Sequence, residues 1–183
     1  MRPVLADFIL GVRLQMDETR FDEFKTVSSQ KVVDRILGEV DEYVIGFLNL
    51  EDRRDVDHCR IFWGVTDKRR VVEGVKLAGG EPGRLHRDVG GKLAGIKPPI
   101  ASSVCYIEIH PVYDASGVAI LDLYGVEVGV AQGEPGEFYC SQSDRFYIKE
   151  DGRNPELKGQ SLVAEIKRRF KGELLQVIRG SQV

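Results

Sequence analysis

The chain has 183 residues, of which 42% are hydrophobic and 30% are charged, and its formal net charge is −3. This composition is typical of a globular protein that buries a core, and it excludes a disordered chain. No apolar run approaches the roughly 20 residues that cross a bilayer, and the acidic balance does not favour a strongly basic nucleic-acid-binding domain.

The N-terminal third of the chain combines strand and helix patterns. Residues 4–16 are apolar without a clear period and predict a short helix or strand. Residues 21–27 alternate and contain aromatic side chains, which predicts a strand. The apolar residues of 30–48 recur at helical spacing and predict an amphipathic helix, whereas the highly charged residues 49–58 predict an exposed loop.

The middle of the chain predicts two hairpins with one helix between them. Residues 59–66 and 71–75 are apolar segments joined by a charged turn, which is typical of a hairpin. Apolar residues at helical spacing predict a helix near 83–95, which ends before a pair of prolines. The segments 102–113 and 117–130 are strong strand candidates joined by a turn.

The last third predicts two short strands and a terminal helix. Residues 138–140 and 145–149 are expected to pair as strands, and residues 160–178 form an amphipathic pattern. The resulting order, β-α-β-β-α-β-β-β-β-α, predicts an α+β (mixed α/β) fold, with a mixed and mostly antiparallel sheet flanked by helices. We expect a single domain over 1–183, with its core at about 15–158.

Common metal and nucleotide motifs do not occur in the sequence. Cys59, Cys105 and Cys140 form no CxxC pair, so they predict reduced thiols of a cytoplasmic protein rather than a zinc site or disulfides. The three histidines are scattered, and His110 is expected at the surface or satisfied in the core. The glycine-rich segment 79–83 lacks the GK[ST] of a phosphate-binding loop, so ATP binding is not expected.

Four motifs occur in order along the chain. They are Glu18 with Glu23-Phe24-Lys25, Gly46-Phe47-Leu48-Asn49, Ile61-Phe62-Trp63-Gly64-Val65-Thr66-Asp67 with Gly74, and Arg145-Phe146-Tyr147-Ile148-Lys149 with Gly152. The ordered set resembles the Alba-like domain of the Schlafen family, which also occurs in bacterial Schlafen-like and divergent AAA-type regulators. The family's glycine pair after the second motif is replaced here by a charged loop, and its late arginine is Lys149.

The resemblance implies nucleic-acid binding, with structured RNA such as tRNA or rRNA, or DNA, as the partner. In the nuclease branch it implies a metal-dependent endoribonuclease that holds Mg²⁺ or Mn²⁺ with two glutamates and an aspartate. By position in this sequence, those residues are Glu18, Glu23 and Asp67. Known Schlafen domains act as paired lobes, so the resemblance also implies a homodimer.

The residue types suit this chemistry, since hard cations prefer oxygen ligands and a bound metal activates water. Glu23 and Lys25 are two residues apart, so a strand places both on one face, where Lys25 can steady a phosphate or the attacking water. Glu18 and Glu23 converge only if the chain turns between them. Cations near the acidic site are needed for phosphate contact. The basic candidates are Lys68, Arg69, Arg70, Arg84, Arg87, Lys92, Lys149 and Arg153.

The residues by themselves leave two other functions open. A Glu-x-Lys pair is also typical of a solvated strand face, and Asp67 of an ordinary turn. The chain can therefore be a non-catalytic DNA- or RNA-binding module of a regulator. It can also be an interaction or oligomerisation domain without a nucleic-acid role, which the net charge of −3 fits.

Overall fold

The computed structural model describes residues 8–14, 21–27, 31–50, 58–134, 136–150 and 153–180, and within the last helix it describes the side chains of 159–169 and 171. The predicted α+β class is confirmed. The order of helices and strands is the predicted one through residue 131, but residues 138–140 form only a bridge at Cys140, and a short strand lies at 156–157, where none is predicted. The elements are β1 (Asp22–Lys25), α1 (Val32–Leu48), β2 (His58–Trp63), β3 (Val75–Lys76), α2 (Glu81–Leu93), β4 (Cys105–Tyr113), β5 (Ala119–Ala131), β6 (Phe146–Tyr147), β7 (Glu156–Leu157) and α3 (Gly159–Gly180).

The long strand β5 organises the main sheet. Strand β4 pairs with it antiparallel along one edge, while β2 and then β3 pair antiparallel with its other edge. Strand β1 lies parallel to β2, with Asp22 opposite Arg60. Because side chains alternate along a strand, Val126, Val128 and Val130 face one side of the sheet, and the residues between them face the other.

The helices pack on the valine side of this sheet. Apolar residues of α1 at helical spacing, such as Ile36, Val40 and Val44, are fully buried together with Leu85 and Val89 of α2. A smaller apolar cluster lies on the opposite side of the sheet and includes Phe8, Leu14, Phe24 and Phe62. The sheet is therefore covered on both sides at β1, and the two faces of this strand have different neighbours.

The third helix is held to the rest of the molecule through an arginine. Arg169 donates a hydrogen bond to the backbone oxygen of Asn49 at 2.5 Å, and its guanidinium lies 4.5 Å from the ring centre of Phe138. Glu165 accepts a hydrogen bond from the same arginine at 3.0 Å. The arginines at 168 and 169 lower the pKa of Glu165.

None of the described helices combines the length and the apolar character needed to span a bilayer.

One predicted hairpin is present, and the other predicted strand pairing is wrong. The segments 59–66 and 71–75 pair antiparallel through the bridge between Val65 and Val72 and through backbone hydrogen bonds of Thr66 with Val71 and of Gly64 with residues 73 and 74, while β2 and β3 also pair with β5. The segments 138–140 and 145–149 do not pair as strands, because Cys140 bridges Lys97 and β6 pairs with β7. Two-residue strands carry little register information, so their partners depend on contacts remote in sequence.

Two other predictions concern the segments before α1 and after it. Within 4–16, residues 8–14 form a turn and two isolated bridges, from Ile9 to Tyr113 and from Arg13 to Val71, instead of a helix or a strand. Most of the predicted charged loop at 49–58 lies outside the described residues.

Candidate functional site

The two faces of β1 carry different chemistry. Glu23 and Lys25 share one face, with the Lys25 ammonium 3.6 Å from a Glu23 oxygen and 4.8 Å from the centre of the Tyr43 ring of α1. Phe24 points to the other side of the sheet and stacks on Phe62 of β2. The strand period thus places Glu23 and Lys25 beside α1, as their spacing predicts.

A second lysine joins this pair from a remote part of the sequence. The Lys149 ammonium is in direct contact with Oε1 of Glu23. The Lys149 side chain is only 7% exposed, and its ammonium lies 5.7 Å from the Phe47 ring centre. Glu23 therefore lies between two ammonium groups, and we call Glu23, Lys25 and Lys149 the lysine–glutamate site.

The neighbouring turn of α1 adds a carboxyl group and an amide. Burial raises the pKa of Glu42, while the nearby Asn154 amide and the Lys25 charge partly oppose that effect. Asn154 is 7% exposed, and neither polar atom of its side chain has a hydrogen bond of normal geometry to the described residues. A Cβ on Gly46 would lie 3.1 Å from the Asn154 amide oxygen, so the small residue at 46 gives this amide its space.

Asn49 ends the same helix and has a structural function. Its side-chain nitrogen donates to the backbone oxygens of Tyr139 and Tyr147 at 2.8 Å, and its oxygen accepts from the Tyr139 N–H at 2.7 Å. Asn49 is 3% exposed. It thereby connects α1 to the segment that leads to Lys149, and this connection positions the lysine.

Among the described residues, no contact links Glu23 to either of the other predicted acidic ligands. Glu18 lies outside the described part of the chain, so the three-carboxylate site stays a prediction. Asp67 is exposed in the turn after β2, next to the exposed Lys68 and Arg69. Arg70 is only 7% exposed, which argues against a direct contact with phosphate.

Most of the other predicted phosphate-binding cations have acidic neighbours. Arg84 and Arg87 contact the same carboxylate, Asp88, at 3.2 and 3.8 Å. The Lys92 ammonium lies 3.1 Å from a carboxylate oxygen of α1. Arg153 lies 2.6 Å from the Glu150 carboxylate. These pairs reduce the positive field that each cation presents to a partner.

The opposite side of the sheet carries a polar cluster that we call the polar face. Arg60 binds both oxygens of Asp22, at 2.9 and 3.0 Å. Glu127 of β5 is fully buried and accepts a hydrogen bond from the Tyr106 hydroxyl at 2.7 Å. The polar face consists of Asp22, Arg60, Tyr106, Glu108, His110 and Glu127.

One histidine completes the polar face. Nε2 of His110 lies 2.9 Å from Oε2 of Glu127 and 3.7 Å from Oε2 of Glu108. Burial raises the pKa of Tyr106, and its hydrogen bond to Glu127 raises it further, so the tyrosine remains a donor at neutral pH. A Cβ on Gly129 would overlap the Tyr106 ring, and therefore only glycine allows the ring to lie across β5 and reach the carboxylate.

The sequence contains a signal for this cluster that a search for histidine pairs misses. Tyr106, Glu108 and His110 are spaced by two residues and so share one face of β4. In the facing strand β5, Glu127 lies directly opposite Glu108. Its nearest neighbours on the same face of β5 are Gly125 and Gly129. Within the described residues, Glu108, His110 and Glu127 are the one group of histidine, cysteine and acidic side chains whose ligand atoms all lie within 4.8 Å of one another.

No family model and no curated protein matches the chain. Among solved structures, it is similar to the DIP2311 protein from Corynebacterium diphtheriae, with 17% identity and a TM-score of 0.47 over 83% of this chain. The chain spans 24% of that protein's chain.

Proposed function

We propose that this chain is an RNA-binding domain of the Schlafen-like type, and that the lysine–glutamate site contacts the phosphate backbone and takes part in its metal-dependent cleavage. The observation that carries the proposal is the convergence of Lys25 and Lys149 on Glu23 from segments far apart in the sequence. The ordered motifs of the sequence support the same function. The implied homodimer stays a prediction.

The charges of the site suit a phosphodiester together with a divalent ion. Lys25 lies near Glu23, and its positive charge partly opposes the rise in the pKa of Glu42. Lys149 contacts Glu23 directly. Ammonium groups bind phosphate oxygens as compact point charges, and Mg²⁺ is usually held by one or two carboxylates together with substrate phosphates. A site that mixes carboxylates and ammonium groups offers both kinds of contact.

The donor set also fits the ion that the resemblance implies. The carboxylate of Glu23 supplies hard oxygen ligands, and the buried Asn154 amide, beside Glu42, has polar atoms without regular partners. Mg²⁺ or Mn²⁺ held by Glu23, with Glu18 and Asp67 as the resemblance implies, would supply an activated water for attack on phosphorus. Lys25 binds and orients the phosphate, and the buried Lys149 holds Glu23 in place.

A binding module without catalysis is the second candidate function. The contact between Glu23 and Lys149 favours it, because a carboxylate that is neutralised by an ammonium group has less capacity to bind a metal ion. In that case Lys25, whose side chain is 27% exposed, contacts phosphate, and the buried pair of Glu23 and Lys149 is structural.

Cleavage of tRNA distinguishes the two functions. Purified chain is incubated with labelled tRNA and Mn²⁺ or Mg²⁺, and binding is measured separately in EDTA. Because Glu23 would hold the ion, we expect Glu23→Gln to reduce cleavage on the order of 100-fold or more while tRNA binding persists. Glu137→Gln changes an exposed glutamate outside the site and serves as the matched control.

Each outcome of this experiment has a defined meaning. Absence of wild-type cleavage with both ions eliminates catalysis and leaves the binding module. Absence of tRNA binding at low salt eliminates both candidates and favours an interaction domain. Cleavage that survives Glu23→Gln would show that a site elsewhere in the protein or a contaminating nuclease is responsible.

A further inference from the structure

We propose that Glu108, His110 and Glu127 form a second metal site, which takes a divalent transition ion of the Zn²⁺ type on the polar face. The site is separate from the lysine–glutamate site, because the two use opposite sides of the sheet. Its donors come from two paired strands, with Glu108 directly opposite Glu127. A hairpin of rigid, paired strands holds such donors in place better than a loop does.

The spacing of the donor atoms matches the coordination shell of such an ion. With metal–ligand bonds of about 2.1 Å, neighbouring ligand atoms lie about 3.0 Å apart at right angles and about 3.4 Å apart in a tetrahedron. Nε2 of His110 lies 2.9 Å from Glu127 and 3.7 Å from Glu108. Small side-chain movements therefore suffice to admit an ion among the three groups.

Neighbouring residues hold these donors in the required orientation. The Tyr106 hydroxyl binds Oε1 of Glu127, which leaves Oε2 directed at His110. The Phe8 ring stacks on the imidazole with centres 4.5 Å apart and planes 10° from parallel. A Cβ on Gly125 would overlap Phe8, so the glycine makes this stacking possible. Such outer contacts fix ligand geometry and typically change metal affinity about 10–100-fold when they are removed.

The charge balance of the polar face favours a bound cation. Asp22 binds the Arg60 guanidinium through both oxygens, and the charge of Glu127 also acts on this arginine, so one guanidinium faces the carboxylates of Asp22, Glu108 and Glu127. Glu127 is 0% exposed, and its hydrogen-bond partners are a hydroxyl and an imidazole. A buried carboxylate is costly without a positive partner. A divalent ion supplies that charge for Glu127 and Glu108 together.

An ion can reach this position from solvent. The Glu108 side chain is 38% exposed and that of His110 is 13% exposed, so the buried Glu127 forms the inner end of the site. Water can complete the coordination on the exposed side. A mixed set of one imidazole and two carboxylates suits Zn²⁺ and its neighbours better than Mg²⁺, which prefers oxygen ligands alone.

Calorimetric titration of the full chain with ZnCl₂, and separately with MnCl₂, tests the proposal. We expect one tight Zn²⁺ site per chain, which binds Zn²⁺ more tightly than Mn²⁺. A Mn²⁺ ion at the lysine–glutamate site would be a separate binding event that Glu23→Gln removes. Glu108→Gln and His110→Gln should each weaken binding at least about tenfold, since each removes a ligand. Glu108 is partly exposed, so Glu108→Gln is expected to fold, and circular dichroism verifies this for both variants.

Three controls make the result specific. His86→Gln and Glu137→Gln each remove an exposed group of the same chemistry outside the site, and both should bind Zn²⁺ like the wild type. Glu23→Gln should also leave this binding unchanged, which separates the site from the proposed nuclease ion. The proposal is overturned if no saturable one-to-one binding occurs, or if a folded Glu108→Gln binds Zn²⁺ as tightly as the wild type.

Discussion

At the scale of single residues, Asn49 has the clearest structural effect on the candidate site. It is nearly fully buried, and its amide satisfies two backbone oxygens and one backbone N–H from the segment that carries Lys149. No apolar side chain can replace these bonds, and each buried polar group left without a partner costs about 1–3 kcal/mol. The loss of Asn49 therefore affects both stability and the position of Lys149.

We expect Asn49→Ala to lower the free energy of unfolding by about 2–4 kcal/mol, because three backbone groups lose their partner at once. Urea denaturation followed by circular dichroism measures this change. Gln142→Ala removes an amide from an exposed position and should change stability by less than about 0.5 kcal/mol. Equal effects of the two variants would contradict the structural function of Asn49.

At the scale of elements, β5 combines two requirements in one strand. Its valines fill the helix-side core, while the alternate positions hold Gly125, Glu127 and Gly129 on the polar face. The glycines do not loosen the strand, since the rings of Phe8 and Tyr106 occupy the space that side chains would fill. The polar face therefore depends on the aromatic ring that lies over each glycine, Phe8 over Gly125 and Tyr106 over Gly129.

We expect Gly129→Ala to destabilise the protein by about 1–3 kcal/mol, because its Cβ would overlap the Tyr106 ring and force it away from Glu127. Gly91→Ala is the matched substitution on α2, where a Cβ meets nothing within 4 Å. That change should raise stability by about 0.5–1 kcal/mol, since alanine favours the helix. Thermal unfolding compares the two, and the same sign for both would refute this account of β5.

Local periodicity explains why the order of the longer helices and strands was predictable from the sequence. The helices α1 and α2 and the strands β4 and β5 are long enough to show their period, and the shared face of Glu23 and Lys25 follows from the same rule. Strands β3 and β6 have two residues each, so their periodicity carries no information about their partners. The contact of Lys149 with Glu23 joins residues 126 positions apart. The polar face likewise depends on hairpin register, which places Glu127 opposite Glu108.

At the scale of the whole molecule, the proposed binding to RNA must come from a local field, because the net charge is −3. The exposed cations of the turn at Lys68 and Arg69 follow β2, whose last pair with β1 is Trp63 with Lys25. This connection places the turn near the end of the strand that carries Glu23. Together with Lys25 of the site, the turn provides a small cationic surface on an acidic protein.

Salt dependence of tRNA binding measures that surface. With only a few phosphate contacts, we expect the logarithm of the binding constant to fall with the logarithm of salt concentration with a slope of about −2 to −3. Reversal of both charges, Lys68→Glu with Arg69→Glu, should weaken binding and reduce the magnitude of the slope by about 1.5–2, while Glu23→Gln should leave the slope nearly unchanged. Lys167→Glu with Lys171→Glu makes the same charge change on α3, where both residues are exposed, and should reduce affinity less. Binding that is independent of salt, or equally weakened by the two double variants, would show that RNA is not bound through this surface.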